Sequence, residues 1–413
     1  MTDDRKQCDM ERNQKKTECQ KKASDAIEVS MEREVDQNKK KEQEATACTE
    51  ERYWEWLCSV PRLYYPLRAL LLEQFGGPGN IYDASEKALR CFAESVPSMT
   101  GAGNVIAQLI KLRSPEQIAQ LVHKREALGI KFISREHTDY PKRLRTLQDA
   151  PHGLFYRGEL PDEEHPAVAI VGSRVCTHYG RQIAEQLAEQ IAFAGGTVIS
   201  GAAYGVDGAA QWKALEAGGT SCAIVGSSVE IYYPKKHSGL FQRLEQEGGV
   251  ISEFPPGTQP IRTHFPMRNR IISGLSDVVV VVEARYGSGS LITADYALEQ
   301  GRSVMAVPGR LDDELSRGCN ALIAQGAGVI LSAESFCEQI FPDYRQQKKR
   351  KALHITLAPS EKLVYSSLGL HSKSLWELLE CTSLSPAELS GCLLSLEQKG
   401  LAREVERNYY VKV

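Results

Sequence analysis

The chain has 413 residues, 42% hydrophobic and 25% charged, with a formal net charge of −3. That is enough for two or three domains and a sizeable core, and the near-neutral balance excludes a bulk positive field, so any nucleic-acid contact must come from local placement of basic groups. Eleven cysteines, no two closer than ten residues, exclude a local Cys-x-x-Cys zinc or redox motif, and the N-terminus carries no apolar leader; the expectation is reduced thiols in a cytoplasmic protein without a membrane anchor.

Residues 1–50 hold 11 basic and 13 acidic side chains and no sustained apolar face, the pattern of a solvated, disordered tail. Residues 51–128 turn helical: Leu67, Leu70 and Leu71, then Ile106, Leu109 and Ile110, recur at helix spacing, broken by Gly76-Gly77-Pro78 and Ser114-Pro115. This predicts a small all-helical domain. Its stretch Val96–Gly103 reads either as a plain interhelical turn or as the turn of a helix-hairpin-helix that holds a phosphate on backbone N–H groups.

Residues 129–342 form the main domain. Gly129–Gly158 predicts two short strands around a small helix, and apolar strand candidates follow at Ala167–Gly172, Thr197–Ser200, Cys222–Gly226, Gly249–Ser252, Val278–Glu283, Ser303–Val307 and Gly328–Leu331 with helical stretches between them. Alternation of this kind specifies an α/β fold, a Rossmann-like, doubly wound, mostly parallel sheet. The five valines Val278–Val282 are too few to span a membrane and too β-branched for a helix, so they belong at the sheet's centre.

In such a sheet the ligand lies at the carboxyl ends of the strands. Those ends read Gly172-Ser173-Arg174, Ser200-Gly201 through Asp207, Gly226-Ser227-Ser228 followed by Tyr233-Pro234-Lys235-Lys236, Ser252–Gly257, Arg285–Ser290 and Pro308-Gly309-Arg310. Residues 151–342 are acidic overall, 14 basic against 21 acidic, yet Arg174, Lys235, Lys236, Arg262, Arg268, Arg270, Arg285, Arg310 and Arg317 all fall between strands near this one rim. Guanidiniums, small hydroxyls and a helix N-terminus opening at Ser288-Gly289-Ser290 are what a phosphate needs. Each residue also has a structural reading: Arg174 and Arg270 as ion-pair partners of Asp207, Glu253 or Glu283, Asn269 as a helix cap, Ser288–Ser290 as a turn, Lys235 and Lys236 as solvated lysines.

Residues 343–351 are a basic linker, and 352–413 read as three helices and a hairpin, a winged helix. The third helix opens with the capping box Ser385-Pro386-Ala387-Glu388 and buries Leu389, Cys392, Leu393 and Leu396. Its outer face shows Glu388, Ser390, Ser395, Glu397 and Gln398, which suits a protein contact or dimerisation module better than a DNA reader.

The ordered motifs Gly172-Ser173-Arg174, Ser200-Gly201 to Asp207, Tyr233-Pro234, Ser252-Glu253-Phe254-Pro255-Pro256-Gly257, Phe265-Pro266-Met267-Arg268-Asn269-Arg270, Ser288-Gly289-Ser290 and Ala306-Val307-Pro308-Gly309 resemble the DNA-processing protein A family (DprA, also called Smf) over roughly Ile130 to Phe341. The resemblance implies a cytoplasmic, dimeric protein of natural transformation that binds incoming single-stranded DNA and helps load RecA recombinase onto it. It implies DNA phosphates at Gly172, Ser173, Arg174, Ser200, Gly201, Lys235, Arg268, Asn269 and Arg270, and the residues themselves add Ser288, Gly289 and Ser290, with Tyr204, Phe254 and Phe265 as stacking faces for bases. Three positions depart from the family's usual residues: Tyr204 stands for Arg, Gln211 for His and His237 for Asn.

The runner-up is a nucleotide hydrolase of the lysine-decarboxylase-like phosphoribohydrolase type, which shares a Rossmann-like sheet. Its Pro-Gly-Gly-x-Gly-Thr loop and following Glu are missing where Tyr286–Thr293 stand. No Walker A lysine, dinucleotide glycine motif, metal cluster or Ser-His-Asp set is recognisable, so neither catalytic residue nor cofactor is expected.

Overall fold

The structure, a computed structural model, describes residues 50–97, 99, 101–348, 357–369 and 372–412. The charged segment 1–49 and the end of the basic linker lie outside them. The chain divides into two compact units, one ending at Phe336 and one beginning at Cys337.

The first unit opens with six helices: α1 (50–59), α2 (Tyr65–Phe75), α3 (Pro78–Asp83), α4 (Glu86–Ser95), α5 (Ala102–Lys111) and α6 (Pro115–Ala127). Their ends follow local chemistry. Gly76 closes α2 at φ 89°, Pro78 opens α3, and Ser85 and Ser114 cap α4 and α6 by accepting from Ala88 N–H and Gln117 N–H. Trp56, Leu57, Leu71, Ile81, Leu89, Ile106 and Leu109 form their common core. Between α4 and α5 the chain makes a tight turn, Met99 N–H to Val96 O and Ala102 N–H to Met99 O; Ser98 and Thr100 lie outside the described residues.

There follow β1 (Lys131–Ser134), α7 (Lys142–Arg145), β2 (Gly153–Gly158), β3 (Ala167–Val171), α8 (His178–Phe193), β4 (Thr197–Ser200), α9 (Val206–Glu216), β5 (Thr220–Ile224), α10 (Ser238–Glu247), β6 (Gly249–Ser252), α11 (His264–Gly274), β7 (Val278–Val281), α12 (Gly289–Glu299), β8 (Ser303–Ala306), α13 (Arg317–Ala324), β9 (Gly328–Val329) and α14 (Ala333–Ile340). The nine strands form one sheet in the order β1-β2-β6-β5-β4-β3-β7-β8-β9. Seven run parallel, from β6 to β9, and β2 joins antiparallel to β6 with β1 outside it. The valine strand β7 lies between β3 and β8, Val278 opposite Val168 and Ser303, and is buried along its whole length.

From β3 the chain winds outward to β6, then returns to β7 and winds the other way. Right-handed crossovers therefore put α8 and α9 on one face and α12 on the other, and open a crevice where β3 and β7 part.

The second unit contains α15 (344–348), α16 (Pro359–Ser367), β10 (Lys373–Ser374), α17 (Leu375–Thr382), α18 (Pro386–Gln398), β11 (Ala402–Glu406) and β12 (Tyr409–Lys412), with a three-stranded sheet ordered β10-β12-β11. Val364, Leu378, Leu389, Leu393 and Leu396 make its core.

Buried charge fastens the front helices to the sheet. Arg68 on α2, 3% exposed, donates twice to Leu63 O and lies 4.0 Å from Glu253, which follows β6 and is 5% exposed. The other oxygen of Glu253 accepts from Arg270 of α11 at 2.6 Å, and Arg270 Nε lies 3.4 Å from Asp149. This corrects the expectation that Arg270 holds a phosphate: its guanidinium is buried beneath Tyr65, with the ring centroid 5.7 Å away, and works as an ion pair. His152 sits between Trp54 and Tyr65, ring centroids 5.9 and 5.2 Å away. Burial, with the positive charges of Arg68, Arg135 and Arg270, holds its pKa down at about 3.

Two outcomes follow from this buried cluster. Glu253→Gln strands two buried guanidiniums and is expected to cost about 3–5 kcal/mol in urea unfolding, the scale of a broken buried pair; a loss under about 1 kcal/mol would contradict that role. Folded His152 stays neutral while the unfolded imidazole takes up a proton, so its contribution is present above pH 6.5 and lost as pH falls toward about 3. His152→Phe should flatten the stability profile across that window.

Candidate nucleic-acid interface

A cavity of about 670 Å³ occupies the crevice between β3 and β7. Its walls are Gly172, Ser173 and Arg174 after β3, Ala203 and Asp207 around the start of α9, Phe265, Arg268 and Asn269 on α11, and Arg285, Ser288, Gly289 and Ser290 after β7, with Tyr233 and Arg262 at the edge. Most of the site residues expected from sequence are thus brought together. They divide into groups that face the opening and groups that hold it open.

Arg268 holds it open. Only 4% exposed, it donates through Nη1 to Gly201 O at 3.1 Å and to Ile224 O, and through Nε to Asn269 Oδ1 at 3.0 Å. Burial lowers its pKa to about 10, partly offset by the Asp207 carboxylate, so it stays charged at neutral pH. Asp207 is itself raised by burial, against the pull of Arg268, and accepts from Gly201 N–H at 3.1 Å. A Cβ on Gly201 would stand 2.4 Å from the Arg268 guanidinium, which is the physical demand for glycine there. The neighbouring Gly205 has φ 76°, and a Cβ would meet Ser173 O at 2.1 Å, so the loops after β3 and β4 touch through bare backbone.

Asn269 is 8% exposed and donates to Gly289 O at 3.0 Å, tying α11 to the N-terminus of α12. That terminus has no side-chain cap: Ser288 Oγ and Ser290 Oγ bond each other at 2.8 Å, leaving the first turn of α12 facing the cavity. Arg174, Arg262 and Arg285 are exposed, and Arg285 Nε lies 3.6 Å from Glu314 with both side chains 64% exposed. Phe265 lies beneath two guanidiniums, 5.4 Å from Arg174 and 5.9 Å from Arg268, with Tyr233 5.7 Å to its side. Ser173 Oγ accepts from Val175 N–H at 3.2 Å, bending the loop that presents Arg174.

Three further expectations are corrected. Ser200 is fully buried and spends its hydroxyl on Ile170 O at 2.6 Å, inside the sheet. Gly201 is buried with its N–H taken by Asp207. Phe254 is 3% exposed and stacked on His264 at 4.0 Å, a core ring with no face for a base. Lys235 is exposed on the one-turn 3₁₀ helix Lys235–His237, but Lys236 is the lysine that lines a hollow, the neighbouring one with Tyr204.

Arg262 lies outside the motif stretches and is identified by basic charge alone. Glu283 gives no sequence hint of its role: its carboxylate accepts from Thr177 N–H at 2.8 Å and from Thr177 Oγ1, capping the approach to α8, and Gly180 packs against it where a Cβ would lie 2.3 Å away.

The family model for DNA recombination-mediator protein A matches residues 131–341, about half the chain. The DNA processing protein DprA of Streptococcus pneumoniae is 43% identical over 195 residues, 47% of this chain and 69% of that protein. The X-ray structure of DNA processing protein A from Streptococcus pneumoniae aligns with 35% identity, covering 61% of this chain and 86% of that one, at a TM-score of 0.54. Protein Smf of Synechocystis is 29% identical over 360 residues, 78% of this chain and 90% of that one. A crevice built from the motif loops, together with a family match that covers every strand of the sheet, leads to one conclusion: this chain belongs to the DNA recombination-mediator protein A family.

Proposed function

We propose that the protein binds single-stranded DNA through the cavity between β3 and β7 and serves natural transformation as a mediator that hands the strand to RecA recombinase. The observation that carries this reading is the division of basic groups at the rim. Arg268 is buried as a fixed charge behind the cavity, while Arg174, Arg262 and Arg285 stand exposed around it beside an uncapped helix N-terminus. Fixed N–H groups and exposed guanidiniums suit phosphate oxygens, and the Phe265 and Tyr233 rings suit a base that is not paired. A duplex offers phosphates but keeps its bases stacked inside.

The same reading takes the protein as a cytoplasmic homodimer. No helix of the described residues is long and apolar enough to cross a membrane. It takes residues 51–128 as a helical front domain and 352–413 as a winged helix used for protein contact. On α18 Glu388 and Glu397 are not buried, and Leu394 is 59% exposed. Hydrolase chemistry is disfavoured, because the carboxylate after β7, Glu283, is 2% exposed and bound by Thr177. Release of free base from nucleoside monophosphates should therefore be undetectable; release that vanishes in Glu283→Gln would replace the binding reading with the hydrolase one.

Titration of a fluorescent oligonucleotide at several salt concentrations tests the binding. With Arg174, Arg262, Arg285 and Lys235, four of the exposed cations at the rim, each holding one phosphate, and roughly −0.7 per contact on a single strand, the slope of log affinity against log salt should be near −3. Arg174→Ala and Arg262→Ala should each make it shallower by about 0.7 and weaken all sequences alike, whereas Arg270→Met should leave the slope of the folded protein unchanged. Equal affinity for duplex and single strand, or an unaltered slope in the double Arg174/Arg262 variant, overturns the proposal.

A further inference from the structure

Beside the main cavity lies a second hollow of about 510 Å³, lined by Arg174, Arg181, Tyr204, Gly205, Gly208, Ala209, Trp212, Lys236 and His237. Phosphate binding in the crevice gives this hollow no task. Its floor is bare backbone at the start of α9: a Cβ on Gly208 would lie 2.5 Å from His237 Cε1, so the imidazole packs directly on the glycine. His237 Nδ1 lies 3.0 Å from Ala202 O; donating there fixes the tautomer and leaves Nε2 as the ring's acceptor. The Tyr204 ring meets His237 edge to face, 5.0 Å between centroids at 81°, and is 41% exposed. Trp212, half-buried, forms the far wall and has Arg243 5.8 Å from its ring centroid.

Three rings around a glycine floor, with exposed Arg181 and Lys236 at the mouth, make a slot for a flat, uncharged ring carrying phosphates. Arg174 lines both this hollow and the main cavity. A phosphate held by Arg174 therefore has one neighbouring nucleoside in the crevice and the other within reach of Tyr204.

We propose that the hollow between Tyr204, Trp212 and His237 is a second nucleotide subsite, which takes one unstacked base of the strand whose phosphate Arg174 holds at the junction. This rests on the single-strand reading of the main cavity. His237 Nε2 accepts from an N–H on the edge of the base, and every base carries one, so the subsite prefers bases over no base without reading sequence.

The test compares a short oligothymidylate with an abasic strand of equal length and charge, by competition for a labelled strand. The complete strand is expected to bind roughly five- to tenfold more tightly, the low end of what one stacked base contributes. Tyr204→Ala should narrow that difference, the remainder belonging to the base on Phe265 and Tyr233, while leaving the abasic strand's affinity unchanged, and binding of the complete strand should quench tryptophan emission, less so in Trp212→Phe. Because Tyr204 is exposed, thermal unfolding of Tyr204→Ala should match the parent.

If Tyr204→Ala changes the affinity of neither strand, while Arg174→Ala weakens both, the subsite is refuted and the main cavity stands. If Arg174→Ala changes neither strand, the main cavity reading falls and takes the subsite with it.

Discussion

The burial of one guanidinium underlies the site. Arg268 sits behind the crevice with its donors on Gly201 O, Ile224 O and Asn269 Oδ1, and with Asp207 as its counter-charge. Those carbonyls close β4 and β5, so the arginine spans the carboxyl edge of the sheet and fixes where the loops depart. An unpaired buried charge is costly, so these partners are not optional. Glycine at 201 leaves the space, Asp207 folds back to bond the Gly201 N–H, and α11 must approach closely enough for the side chain to reach. The crevice is the shape left once these conditions are met together.

Helix α11 faces two ways, and this couples the front helices to the cavity. Arg268 and Asn269 look into the crevice, while His264 accepts from or donates to Tyr64 Oη at 2.9 Å, and Arg270 pairs with Glu253 beneath Tyr65. Tyr64 and Tyr65 stand at the start of α2, so the front helices grip both ends of the segment that carries Arg268 and Asn269. A change in their packing would be transmitted through α11 as a rigid element, with no intervening loop to absorb it.

Much of this was legible in the sequence. The apolar runs locate every strand of the parallel sheet, and the strand ends gather the motif loops, because a doubly wound sheet leaves little choice about where its loops converge. What stayed hidden is direction within a motif. Arg268 and Arg270 are two residues apart, hence about 200° apart on a helix of 3.6 residues per turn, and only one of them faces the cavity. The position of that helix against the front helices decides which, and nothing in Phe265–Arg270 states it. Phe254 went astray for the same reason: a ring at a strand end is exposed or buried according to what covers it, here Tyr64 and His264. The ion-pair alternative for Arg270 named Glu253 correctly, since a buried arginine needs a carboxylate and few are near enough.

The distribution of charge then explains how an acidic unit presents a basic face. Arg270 and Arg68 share Glu253, Arg268 shares Asp207, and Arg125 pairs with Glu55 at 2.7 Å, so these inward cations are cancelled by inward carboxylates. Arg174, Arg181, Lys236 and Arg262, by contrast, are exposed around two adjoining hollows on one rim. Net charge thus says little about the field a ligand meets, because the paired charges act only at short range. Arg174, which lines both hollows, is where the two meet, and the positive field there is local, set by exposed guanidiniums that the summed charge of the chain does not reveal.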